Sequence, residues 1–166
     1  EVTIHEEILI SNSYIGINIH SSGTVNAENV TMDTIDIQAV HNDGQFTITT
    51  GNITNAATGI FSSNQLVASD VTFEQTGFAI DIVAGDATIT GLGLDNVSVG
   101  IGSDTGASTV VNSIFGESVT LLIDGSGTDD LTVSNALLSG DRFLWGSVQS
   151  IHVSEIDFTQ QSLDRT

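Results

Sequence analysis

The sequence predicts an all-β fold, a parallel β-helix (solenoid) of about 7–8 coils with ~21 residues and three short strands per coil. Three observations lead there. Apolar pairs spaced i, i+2 recur at a near-constant interval along the chain. Around them lie short runs of alternating apolar and polar residues, punctuated by Gly, Asn, Asp and Ser, as strands and turns are. No stretch of ten or more residues carries helical spacing.

The first column of pairs reads Ile8/Ile10, Val25/Ala27, Phe46/Ile48, Leu66/Ala68, Ala87/Ile89, Val110, Leu131/Val133 and Ile151/Val153. Two residues after each pair comes a small polar or turn-forming residue: Asn12, Asn29, Thr50, Asp70, Gly91, Asn112, Asn135 and Glu155. Three residues further stands a large apolar one: Ile15, Met32, Ile53, Phe73, Leu94, Phe115, Leu138 and Phe158. A third column follows at Ile19, Val40, Phe61, Ile82, Ile101, Ile123 and Trp145. These columns are expected to face inward, with Thr, Ser, Asp and Glu outward. Asn12 and Asn29 are closer than later members, so one corner of the first coil is expected to be about four residues short. Glu1 to Glu7 then form a partial coil or an edge strand. The run Asp124 to Asp130 is the longest turn and is expected to project from the rod.

The chain has 166 residues, 39% of them apolar, enough for a core and too many for a disordered acidic tail. Residues 1–166 read as a single β-helix domain, with no cap at either end. It is therefore expected to be a segment of a longer chain or a subunit that assembles through its open ends. Against 21 Asp and Glu stand 2 Arg and no Lys, for a net charge of −19. That excludes a cationic grip on nucleic acid and electrostatic adhesion to anionic membranes. No Cys is present, which excludes disulfides, thiolate metal sites and a cysteine nucleophile. No apolar run is long enough to span a membrane. Such a charge suits a saline habitat, where salt screens carboxylates from one another, or an extracellular module loaded with Ca²⁺.

Several side-chain groups are candidates for chemistry. His20 and His41 occupy similar positions in adjacent coils, and with Asp43 they form a donor set for a transition metal. The alternative is a pair of solvent-facing polar residues. Asp124, Asp129, Asp130 and Asp141 surround the long turn; they are either Ca²⁺ ligands or a solvated acidic turn. Asp129 with Asp141 is also a candidate acid/base pair for a glycosidic bond. Asn12, Asn29, Asn112 and Asn135 read as a broken asparagine ladder at one bend. Asn29, Asn52 and Asn96 each begin a glycosylation acceptor triplet. Trp145 and Tyr14 are either core or sugar-stacking platforms.

The units Asn29-Val-Thr-Met-Asp-Thr-Ile-Asp-Ile, Asp70-Val-Thr-Phe-Glu-Gln-Thr-Gly-Phe-Ala-Ile and Val133-Ser-Asn-Ala-Leu-Leu-Ser-Gly resemble the right-handed parallel β-helix repeat family. That family includes pectate lyases, polygalacturonases, tailspikes and microbial surface proteins. The resemblance implies right-handed crossovers and the pectin-lyase-like superfold, on its non-catalytic surface or adhesin branch. It departs from the enzyme branches. Their lyases use Arg or Lys as base, whereas here only Arg142 and Arg165 exist; their hydrolases carry Gly-His and Arg-x-Lys, and neither occurs here. The expected function is a non-catalytic extracellular or cell-surface rod, adhesive or filament-forming, without a cofactor unless Ca²⁺ is bound. Its expected partners are other copies or flanking coils, and glycans. The alternative is a carbohydrate-binding or polysaccharide-cleaving module.

Overall fold

The computed structural model describes residues 1–104, 108–124, 130–145 and 150–158. The chain is an all-β parallel solenoid. Its strands are β1 (Val2–Ile4), β2 (Ile8–Ile19), β3 (Thr24–Asn42), β4 (Gln45–Ser62), β5 (Gln65–Glu74) and β6 (Phe78–Ile82). They continue as β7 (Asp86–Ser103), β8 (Ser108–Asp124), β9 (Asp130–Trp145) and β10 (Ser150–Phe158). Every pairing is parallel, and one sheet runs β1-β3-β4-β5-β7-β8-β9-β10, with β2 beside β3 and β6 between β4 and β7. Val25, Phe46, Leu66, Ala87, Thr109, Leu131 and Ile151 lie in register, so six complete turns separate Val25 from Ile151 at 21 residues each on average. A first coil precedes them.

The long strands bend without leaving the ladder, because single residues take the left-handed conformation at two recurring corners. The first corner is Asn29, Thr50, Asp70, Gly91, Ser113 and Asn135, with φ from 52 to 68°. The second is Asn12, Thr34, Asn55, Gln75, Asn96 and Ser118, with φ from 51 to 56°. Asn, Asp and Gly enter this region most readily, and a single such residue swings the chain onto the next face. Proline has φ fixed near −65° and no N–H, so it fits neither corner nor ladder. The chain contains none.

The second corner corrects the reading of the first coil. Ile8 and Ile10 pair with Val30 and Met32, whereas Val2 and Ile4 pair with Val25 and Ala27. Asn12 therefore belongs with Thr34, not Asn29, and no corner is short. Glu1 to Glu7 contains a whole strand of the coil.

The register shifts once more further along. Connections between the last strand of one coil and the first of the next are two residues after β3 and β4, three after β6, four after β7 and five after β8. The extra residues slide the sixth coil, β8, by one. Thr109 and Val111 face inward, level with Ala87 and Ile89, while Val110 is outward and exposed. Thr109 is buried because Ser103 meets it, Oγ to Oγ1 at 3.1 Å. Likewise Ile114 and Gly116 replace Phe115 in the inward columns, and Ser113 rather than Asn112 makes the corner.

The third column divides in the same way. Ile17, Val40, Ile60, Ile80, Ile101, Ile123 and Leu144 are level with one another. Phe61 is one step off that column, level with Asn18, His41, Asp81, Gly102, Asp124 and Trp145. Ile19 lies level with Asn42, whose buried amide donates to Ser62 Oγ and to the Gln65 carbonyl, each at 3.0 Å. Asn42 Oδ1 accepts from the Gly44 N–H at 3.1 Å, which fixes the tight connection to β4.

The core is mainly apolar and built of stacked columns. Met32, Ile53, Phe73 and Leu94 fill it from one face, and small residues receive them from another. A Cβ at Gly59 would collide with the Phe73 ring and the Ala79 carbonyl, and one at Gly16 would lie 2.8 Å from Met32 Sδ. Large residues against small ones keep a narrow core at native density.

One buried position breaks the pattern. Thr76 faces inward directly after the second corner, where the coil above has Val97. It is 3% exposed and its Oγ1 has no hydrogen-bond partner among the described residues. A buried, unpaired hydroxyl destabilises, and valine has the same shape without it. The Thr76→Val substitution is therefore expected to raise unfolding stability by about 1 kcal/mol in a denaturant titration, and an unchanged or lower midpoint would contradict this packing.

Candidate functional site

Parallel stacking decides which side chains meet, because each outward residue faces its counterpart one coil away. His41 has Asn18 and Phe61 as its neighbours, not His20. Its ring stacks on Phe61 with centroids 5.0 Å apart and planes inclined by 14°. Both ring nitrogens are engaged, Nδ1 with Gln38 Oε1 at 2.7 Å and Nε2 with Asp43 Oδ2 at 3.2 Å. Asp43 also accepts from Ser63 Oγ at 2.7 Å. The Ser63 hydroxyl, then His41, with the charge of His20 contributing, holds the Asp43 carboxyl below its ordinary 3.8. His20 itself is exposed at the end of its strand. Among the described residues, no three His, Asp or Glu side chains converge to hold a metal ion.

Of the four aspartates around the long turn, Asp124 ends β8 half-buried and Asp130 opens β9 exposed. Asp129 lies outside the described residues, and Asp141 is placed only by its backbone, in β9 one step before Arg142, which pairs with Leu121. Two carboxylates that the sequence reading did not single out join Asp124. Asp81 shares its column, with only Gly102 between them, and a Cβ at Gly102 would lie 2.8 Å from Asp81 Oδ1. Partial burial, then the charges of Asp104 and Asp124, push the Asp81 carboxyl above 3.8.

The four asparagines of the expected ladder separate. Asn12 is in the second corner and Asn29 in the first. Asn112 and Asn135 do meet, Asn135 Nδ2 donating to Asn112 Oδ1 at 2.6 Å, and Ser134 Oγ joins at 3.0 Å. The acceptor asparagines Asn29, Asn52 and Asn96 are all exposed. Tyr14 is exposed beside a register shift in β2, and Trp145 ends β9, its backbone level with Asp124.

A further depression lies elsewhere. It is an open notch of about 520 Å³ at the first corner, on the outer face of β5, β7, β8 and β9. Its floor is Gly91 and Gly93, and its sides are Asp70 and Thr72 below and Ser113, Phe115 and Asn135 above. Phe115 is 55% exposed. Asp70 reaches over Gly91 so closely that any Cβ there would collide with its carboxylate. Sequence reading missed this notch because it placed Phe115 inside. The available signal was the pair Gly91 and Gly93, where the coil below has Asp70 and Thr72.

Comparison of the chain with protein-family models, curated proteins and solved structures found no match in any of the three.

The raised Asp81 carboxyl has a defined consequence for stability. A carboxyl with a folded pKa above its unfolded value destabilises the fold once pH rises past the unfolded value. Asp81→Asn is therefore expected to raise the melting temperature at pH 7. The gain should shrink as pH falls and vanish below 3.8, where both states are protonated. A gain that persists unchanged at acid pH would show that charge is not its cause.

Proposed function

We propose that this chain is a non-catalytic, extracellular structural or adhesive rod, part of a surface protein or a filament, adapted to a saline environment. The observation that supports this reading most is the parallel pairing that continues coil on coil from Val25 to Ile151, interrupted only by local register shifts, which suits a rod with polar columns outside. The first coil adds to it. Its inward residues Val2, Ile4, Ile8, Ile10, Ile15 and Ile17 are exposed or only half-buried, and β1 and β2 pair with β3 alone among the described strands. A further coil, from flanking chain or from a second copy, would cover the apolar residues and complete the ladder.

The charge supports the saline setting. Stacked coils put carboxylates of successive turns within about 5–10 Å of one another, inside the screening length of dilute buffer and outside that of molar salt. Calcium ions would relieve the same repulsion.

Electron microscopy of the purified chain from low to molar NaCl, with and without Ca²⁺, tests the reading. Slender rods that join end to end as salt rises are expected, with a denaturation midpoint that rises in parallel. A midpoint that falls with salt, or turnover of any polysaccharide by the chain, would overturn it.

A further inference from the structure

We propose that the notch at Gly91 and Gly93 binds a neutral sugar residue, with the exposed face of Phe115 as its stacking platform. The proposal goes beyond the rod reading and does not rest on it. The outward column of the second face runs Leu9, Thr31, Asn52, Thr72, Gly93 and Phe115. Gly93 is the one rung of this series without a side chain. It leaves a gap between Thr72 and Phe115 of two coil spacings, roughly 9–10 Å. Gly91 clears the adjoining corner in the same coil, so the gap widens into the notch rather than ending at a wall.

The lining matches what a sugar presents. A pyranose has an apolar C–H face and a rim of hydroxyls, and an aromatic ring accepts the first while carboxylates, amides and hydroxyls bond the second. Phe115 supplies the ring, and Asp70, Thr72, Ser113 and Asn135 supply both acceptors and donors. Electrostatics narrows the class. With a net charge of −19 and Asp70 in the wall, the notch repels phosphate, sulfate and uronate groups. A quaternary ammonium would be attracted, but its recognition uses a cage of several rings. Among the described residues, Phe115 is the one aromatic side chain that lines this notch. The ligand class left is a neutral, hydroxyl-rich sugar, and the open shape admits one residue of a longer glycan lying across the rod.

The test is a panel of neutral oligosaccharides of glucose, galactose, mannose and N-acetylglucosamine, titrated calorimetrically into the chain. Choline and a uronate oligomer are run beside them. At least one neutral sugar is expected to bind. Its affinity should fall roughly ten-fold or more in Phe115→Ala, which removes the platform, and in Gly93→Val, which fills the gap. Thr88→Ala, on another face, should bind as the parent does. Phe115 is exposed, so Phe115→Ala should keep the parent melting temperature, which separates lost binding from lost folding. The proposal is overturned if no neutral sugar binds at millimolar concentration. It is equally overturned if binding survives both substitutions, or if only choline or the uronate binds.

Discussion

In a parallel stack of coils, every residue meets its own counterpart about 4.8 Å away, so each side-chain choice is made against itself again and again. That repetition organises the whole molecule. Inward, it rewards columns of Ile, Val, Leu and Phe that bury one another on both sides. At the corners, it demands that the same position turn left-handed in every coil, which Asn, Asp, Thr, Ser, Gln and Gly do here. Outward, it brings like charges together, and with two Arg and no Lys the chain cannot pair them with cations in the ordinary way.

Neutral donors take that role in part. Thr54 Oγ1 and Asn55 Nδ2 both donate to Asp33 Oδ1, at 2.7 and 2.8 Å, from the coil above. Asn55 first, then Thr54, holds the Asp33 carboxyl below 3.8. Ser63 does the same for Asp43. At Asp81, which lies two rungs from Asp124 across Gly102, partial burial and then the charges of Asp104 and Asp124 raise the carboxyl instead. These contacts are with solvent-facing groups, so added salt still matters to the remaining carboxylates.

The period, the faces and the first corner were legible in the sequence because they repeat. What was not legible is where the period slips. Ile8 and Ile10 resemble Val25 and Ala27 as closely as they resemble Val30 and Met32, and only hydrogen bonding of β2 to β3 decides between them. In the sixth coil, Thr109-Val110-Val111 offers two apolar residues in a row, and the buried Thr109 is bonded inside by Ser103. The same slip put Phe115 in the core on paper and on the surface in the fold. The expected level stacking of His20 on His41 is shifted for a related reason: Asn18, not His20, is level with His41. The notch is a product of stacking, since Asp70, Gly93 and Phe115 become neighbours only when three coils are laid in register.

The central claim is that register, and spin labels test it directly. Asn26, Thr47, Val67, Thr88, Val110 and Thr132 form one outward column, one residue per coil. With one label at Asn26 and the second moved through Thr88, Val110 and Thr132, pulsed electron resonance should give distances that grow by about 4.8 Å per step, apart from a constant label offset. A series that does not grow linearly, or an inward position at Val110, would contradict the stacked register on which the account stands.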